Sequence, residues 1–276
     1  MKELYKDNNG NLLFKKSFCA YIDILGFSEK IIKNDLRFFN SYLNTLKTEL
    51  DHIEIHHDLS GKDGYKSFEL KIFTDNFVFG HPWFDEFGES ELGNIFKVLS
   101  HIQFTFAKAN IFIRGAISMS DLYMDENIVL GPALIDSYKL ESENAVNPRI
   151  LLSNEVVIIV KKHINYYSDH ESSPQNKEFL IDTDGFFFVN YLFILFYDND
   201  YSEERIIEEL AKHKEPIILN LSTNRNNFKL FEKYSWTANY HNYFCDNFVL
   251  ERFPNINLEL IKINQDLYRK HLMKII

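Results

Sequence analysis

Cysteine is scarce: Cys19 and Cys245 are the only two in 276 residues, and they lie far apart. No disulfide framework is implied, and a reducing cytoplasm fits such usage. Cys19 sits in an apolar run and reads as a buried free thiol. Basic residues are also in deficit. Lys plus Arg total 30 against 40 Asp plus Glu, a formal net charge of −10. Non-specific nucleic-acid binding needs a basic face, so that class is disfavoured. A small phosphate ligand stays open, because local charge can differ from net charge. Long apolar runs are missing as well. The most apolar long stretch, Phe186 to Tyr197, has twelve residues, fewer than the roughly 20 that a membrane helix needs. Met1 to Lys16 is polar and of mixed charge, without the apolar centre of a signal peptide. The expectation is a soluble, cytoplasmic protein with neither membrane nor nucleic acid as partner.

What is present is globular. Glycine (10) and proline (6) are few, and 45% hydrophobic with 25% charged residues argues against collagen, low complexity and disorder. A chain of this length buries roughly 75% of its unfolded surface. It suits one large domain or a domain with an extension. Phe (26) and Tyr (15) are heavily used, and they read as core filling rather than chemistry.

Phe18 to Ile24 reads as a buried strand ending at Asp23-Ile24-Leu25-Gly26. Ser28 is placed to cap a helix carrying Ile31, Ile32, Leu36, Phe39, Tyr42, Leu43 and Leu46 and ending near Leu50. His52 to Gly64 is polar and reads as a loop. Phe68–Phe73 and Asn76–Gly80 read as strands joined through Thr74-Asp75, a connection short enough only for a hairpin. Glu91 to Asn110 reads as a helix with Leu92, Ile95, Phe96, Leu99, Ile102, Phe106 and Ala107 inward, and Ile111 to Met119 as a strand. This β-α-β-β-α-β order is the split βαβ, or ferredoxin-like, unit. A further hairpin flanks Asp125-Glu126-Asn127. Gly131-Pro132 opens a helix to about Asn144, Ile150–Leu152 is a strand before the cap Ser153, and Phe186–Val189 is another strand. Ile206–Leu219, Asn227–Phe244 and Leu258–Ile276 read as helices. The fold class is therefore α/β (α+β), with residues 1–190 as a ferredoxin-like core carrying an extra hairpin and 191–276 as a helical C-terminal extension.

Two aspartates stand out. Asp23 ends the first strand and Asp75 starts the third, 52 residues later. In a split βαβ unit the third strand lies between the first two and antiparallel to both, so these carboxylates should meet. Two close carboxylates are costly unless a proton or cation intervenes. Magnesium held by one or two carboxylates plus substrate phosphates is a common answer. Beside Asp23, Gly26-Phe27-Ser28 enters a helix, where free amides favour an anion.

The segment Tyr21-Ile22-Asp23-Ile24-Leu25-Gly26-Phe27-Ser28 resembles the first metal motif of class III nucleotidyl cyclases, and Phe73-Thr74-Asp75-Asn76 resembles their second. Arg114-Gly115-Ala116-Ile117-Ser118 is similar to the strand that follows. Gly131-Pro132-Ala133 through Lys139-Leu140-Glu141, then Pro148-Arg149-Ile150-Leu151-Leu152-Ser153, resembles the next helix and strand. The set is most similar to the bacterial pyrimidine cyclases of Pycsar anti-phage defence, as is the tail segment Glu232-Lys233-Tyr234-Ser235-Trp236 with Tyr240-His241-Asn242. The matches span about residues 18 to 155, with islands beyond.

The resemblance implies an enzyme converting a nucleoside triphosphate to a 3′,5′-cyclic monophosphate and pyrophosphate. It implies two ions, Mg²⁺ or Mn²⁺, on Asp23, Asp75 and the Ile24 carbonyl, with phosphate oxygens on the amides of Gly26, Phe27 and Ser28. Lys139 falls where the family carries a transition-state Arg, and Ile135 where it carries a ribose-orienting Asn. Lys is a point charge and Arg a planar fork, so the geometry differs. Arg114 or Arg149 could supply the cation instead. Lys71 falls on the base-recognition Lys of adenine-specific members, but its acidic partner would fall at Ile128. That favours a pyrimidine, with UTP preferred over CTP. The family's sites form between two subunits, so a homodimer is implied, with a separate effector reading the cyclic product. The rival expectations are a cyclase-like protein that binds a nucleotide or partner without turnover, an adenylate or guanylate cyclase, and another two-metal phosphotransferase on the same scaffold. His52, His56, His57 and Asp58 have a weak zinc-like spacing and read mainly as a solvated polar segment. Trp236, Tyr240 and His241 read mainly as tail packing.

Overall fold

The computed structural model describes residues 4–57, 67–84, 87–197, 202–271 and 273–275. The sheet begins with β1 (Lys15–Ile24), β2 (Glu69–Phe73), β3 (Asn76–Pro82) and β4 (Ile113–Met124). β3 lies between β1 and β2, antiparallel to both, and β4 flanks β1 on its other side, also antiparallel. β5 (Val129–Leu130) folds back on β4, while β6 (Ile150–Leu152) runs parallel to β4. β7 (Phe179–Asp182), β8 (Phe187–Val189) and β9 (Met273–Ile275) complete the order β2-β3-β1-β4-β6-β8-β7-β9. The molecule is thus mixed α/β.

The helices between these strands are α1 (Phe27–Ile32), α2 (Leu36–His57), α3 (Glu89–Lys108), α4 (Pro132–Asn144), α5 (Asn154–Ile164) and α6 (Gln175–Glu178). Beyond residue 190 come α7 (Glu203–Thr223), α8 (Phe228–Phe244), α9 (Leu250–Arg252) and α10 (Leu258–Ile261). None of the described helices is long and apolar enough to cross a membrane.

Period-two alternation in β1 sorts its side chains. Phe18, Ala20, Ile22 and Ile24 enter the main core, where α3 contributes Leu92, Ile95, Phe96, Leu99, Ile102 and Phe106. Cys19 and Tyr21 face the opposite side, packed with Ala133 and Leu134 of α4. Asp23 follows Tyr21 at that period, so the chemistry-bearing end of β1 opens toward α4.

Three sequence expectations change. The single helix expected from Ser28 to Leu50 is two helices. Asn34 takes a left-handed φ of 49°, and the Asp35 carboxylate accepts the Phe38 amide at 3.0 Å, capping α2. Ser28 lies inside α1, and Gly26 holds the cap position. Second, α2 continues through His52 to His57, where a loop was expected. Third, the described residues of the segment expected as one helix, Leu258–Ile276, form only α10 and a single 3-10 turn at Gln265–Leu267 before β9. The Asn239 and Asn242 side chains on α8 bond the backbone of Arg269, His271 and Ile263. That ties the segment to α8 on either side of this turn, and β9 then pairs with β7.

The elements beyond residue 190 share the core of those before it. Trp236 and Tyr240 of α8 pack edge-on to Phe188 of β8, with ring centroids 5.4 and 5.8 Å away. The Tyr240 hydroxyl donates to Asn190 at 2.7 Å and accepts the Leu192 amide at 2.9 Å.

Candidate functional site

The β1–β3 register sets Asp23 opposite Asn76, and the β1–β4 register sets it opposite Arg114. Asp75, in the β2–β3 turn beside Asn76, comes within hydrogen-bonding reach of Asp23. The turn is held from three directions. The Tyr42 hydroxyl of α2 donates to the Thr74 carbonyl at 3.0 Å. Asp75 Oδ1 accepts from Thr74 Oγ1 at 2.7 Å and from Asn76 Nδ2 at 3.1 Å. The Tyr21 hydroxyl donates to Asn76 Oδ1.

Arg114 Nε lies 3.1 Å from Asp23 Oδ2 and 3.0 Å from Glu141 Oε1, and its Nη1 donates to the Ala145 carbonyl at 3.0 Å. Burial lifts the Asp23 carboxyl above its ordinary range; Arg114 pulls it down, and Asp75 pushes it up again. Glu141, on the inner face of α4 and 3% exposed, is pushed up to about 7, chiefly by burial. Lys233 of α8 completes the cluster. Burial lowers its ammonium, with Arg114 adding repulsion and Asp23 and Glu141 acting against it.

The turn after β1 is shaped by Gly26, whose φ of 75° is left-handed. A Cβ there would meet nothing within 4 Å. The glycine is therefore required by its backbone angle rather than by crowding from the protein. The Phe27 ring is buried among Phe38, Phe39 and Tyr42, which leaves only its amide for a ligand. Ser28 is exposed and Ile24 buried.

The remaining sequence candidates separate. Lys71 is half-buried on β2, opposite Val78, and near enough to Asp125 to help hold that carboxyl down. Its acidic neighbour is thus Asp125, not position 128, where Ile128 is 51% exposed. Lys139 is exposed on α4, two residues and about 200° around the helix from Glu141. It points away from its own chain's Asp23. Arg149 is not an available cation. It is 1% exposed, ion-paired with Asp182 and Asp184 and stacked near Trp236 and Phe188, so it belongs to the core. His52 stacks on His101 at 3.8 Å, and His101 meets Glu49 at 2.8 Å. Asp58 and the His56 and His57 side chains lie outside the described residues.

Sequence reasoning missed Glu141 and Lys233 as members of the cluster. Both stood inside quoted segments. The signal for Lys233 was its place three residues before Trp236, a buried anchor that fixes α8.

Among the described residues no group of three or more His, Cys, Asp or Glu is arranged to hold a metal ion. At this end of the sheet the described residues offer the Asp23 and Asp75 carboxylates and the Ile24 carbonyl. That is too few for a closed structural site, and it suits a hard divalent ion that completes its shell with phosphate oxygens and water. The charges agree in kind: Asp23, Asp75 and Glu141 lie with Arg114 and Lys233, and Asp23 is lifted first by burial and further by Asp75. No protein-family model matches the chain, and no curated protein does.

Proposed function

We propose that this protein is a metal-dependent nucleotide cyclase. It converts a pyrimidine nucleoside triphosphate, UTP in preference to CTP, to the 3′,5′-cyclic monophosphate and pyrophosphate, as a signal in anti-phage defence. The observation that carries this reading is the meeting of Asp23 and Asp75 at one end of the sheet, with Arg114 against Asp23. The strand order β2-β3-β1-β4 supports a ferredoxin-like cyclase core.

In this mechanism Asp23, Asp75 and the Ile24 carbonyl hold Mg²⁺ or Mn²⁺. Bound there, the ions supply Lewis-acid stabilisation of the attacking and leaving oxygens. The amides of Gly26, Phe27 and Ser28 hold phosphate oxygens. The ribose 3′-hydroxyl gives its proton to solvent water and attacks the α-phosphorus in line, a P–O bond forms, and the bond to the β-phosphate oxygen breaks, with pyrophosphate leaving. Arg114 offers fixed positive charge to the phosphoryl oxygens as charge develops. Lys139 faces away from its own Asp23, so it reaches a site only from a second copy, which supports the homodimer reading. A separate effector would read the product.

Two observations favour other readings. Asp125 beside Lys71 provides an acid and a base that together can match a purine edge, which supports an adenylate or guanylate cyclase. Arg114 already neutralises Asp23, which supports a nucleotide-binding protein without turnover. Incubation of the purified protein with each of the four NTPs and Mn²⁺ or Mg²⁺ decides. Cyclic pyrimidine product and pyrophosphate are expected, with Asp23→Asn or Asp75→Asn lowering the rate by several orders of magnitude and leaving the fold intact. A purine product reassigns the base. No product from any NTP, with nucleotide-induced thermal stabilisation, leaves a binding protein. Without a divalent ion the acidic site should hold triphosphate poorly.

A further inference from the structure

One cation of the site comes from the C-terminal extension. The first half of α8 lies against the turn after β1. Leu25, Phe112, Phe231 and Tyr234 share one apolar cluster, and the Phe112 and Tyr234 rings are 5.2 Å apart. Glu29, in the first turn of α1, acts electrostatically on Tyr234. One turn further along α8, the Trp236 indole N–H donates to Asp182 at 2.6 Å and fixes the helix. Lys233 is therefore carried by a held element to the place where Gly26-Phe27-Ser28 and Asp23 meet.

The Lys233 ammonium is half-buried, yet among the described residues it makes no hydrogen bond and no salt bridge. The neighbouring cation differs. Arg114 donates Nε–H to Asp23, is ion-paired with Glu141 and donates Nη1 to a carbonyl. A lysine kept from water beside Arg114 and Lys229, without an ion pair, is unfavourable until an anion arrives. The nearby acids do not supply one at contact distance. Once Asp23 and Asp75 serve a divalent cation, their charge is cancelled and Lys233 is left with the repulsion of Arg114 and Lys229.

We propose that Lys233 is the polyphosphate-binding cation of this site, supplied in cis by the same chain as Asp23 and Asp75. This rests on reading the site as one for a polyphosphate with a divalent ion. It gives Lys233 a role distinct from Lys139, which the resemblance puts at the place of a transition-state Arg.

The test is calorimetric titration of the full chain with inorganic tripolyphosphate and Mg²⁺. Wild type is compared with Lys233→Gln, Lys233→Arg and Lys161→Gln, a lysine on α5 that packs over Phe187. Circular dichroism melts check the fold of each. Lys233→Gln should weaken binding by about tenfold or more, the loss of one charge-assisted contact. Lys233→Arg should restore most of it, and Lys161→Gln should bind as wild type does. Equal binding by Lys233→Gln and wild type overturns the proposal. So does an equal loss in Lys161→Gln, which would mark a bulk-charge effect, or no binding by wild type. An NTP turnover assay on the same samples separates the two claims. Lys233-dependent binding without cyclic product sustains this inference while the cyclase reading fails. Product formed equally by wild type and Lys233→Gln does the reverse.

Discussion

Thr74 carries the backbone strain of the site. Its φ of 56° is in the left-handed region, where a β-branched side chain is an outlier costing about 1–3 kcal/mol. The cost falls on the residue that precedes Asp75, and the Tyr42 hydroxyl bond to its carbonyl holds it there. Thr74→Gly should therefore raise stability by about 1 kcal/mol, after allowing for the entropy that glycine loses on folding. Thermal or urea melts measure this, and a variant less stable than wild type would contradict it. The same substitution removes the Thr74 hydroxyl that donates to Asp75, so Mn²⁺ affinity should fall while stability rises. Residue identity foretold some of this site and concealed the rest. Asp23 and Asp75 were legible because strand ends and a two-residue hairpin leave little freedom. Arg149 was misleading because a sequence does not reveal that Asp182 and Asp184, more than thirty residues later, enclose it.

At the scale of elements, α7 meets α8 through two fully buried histidines. His241 Nε2 donates to the Ile261 carbonyl at 2.9 Å, so its Nδ1 accepts. His213 Nδ1 lies 2.9 Å away and must donate, which leaves His213 Nε2 to accept from the Tyr191 hydroxyl at 2.7 Å. Every position is filled by neutral rings. Burial holds His241 down to about 4 and His213 well below its ordinary value. Unfolded histidines titrate near 6.5, so the unfolded chain takes up protons first, and this pair loses stability as pH falls below about 6.5. Glu141 and Glu178 run the other way. Burial lifts both to about 7, so the folded state holds their protons, and the stability they give is lost as pH rises from their unfolded range toward 7. The two sets oppose each other between about pH 4.5 and 6.5, and wild-type stability should be nearly flat there. In a Glu141→Gln, Glu178→Gln background the histidines act alone, and stability should fall on acidification by up to about 1.4 kcal/mol per pH unit for each. Urea denaturation at several pH values reads this, and a double variant as flat as wild type would refute it. Periodicity made α3, α4 and α8 legible, since apolar faces and caps are local. The break at Asn34 and the segment before β9 were not, because asparagine side chains and tertiary bonds decide them.

For the whole molecule, the change of sequence character near residue 190 does not mark a change of core. One hydrophobic cluster includes Phe18, Ile117 and Phe188 together with Ile206, Trp236 and Phe244. Asp182 ties Arg149, Trp236 and His271 at a single carboxylate. A fragment of residues 1–190 would expose the partners of Trp236 and Tyr240 and leave Phe188 half covered. It should show no cooperative thermal transition, and well-dispersed amide resonances from that fragment would overturn this expectation. The placement of α8 also bears on timing. Ribosomal synthesis releases Asp23 and Asp75 early and Lys233 much later, after nearly the whole α/β sheet has emerged. Because residues 1–190 lack part of their own core, the Asp23–Asp75 end of the sheet and Lys233 reach their final places together, as α8 docks. A nascent chain would thus gain its metal ligands and its tail lysine in one late step, when the extension closes the core.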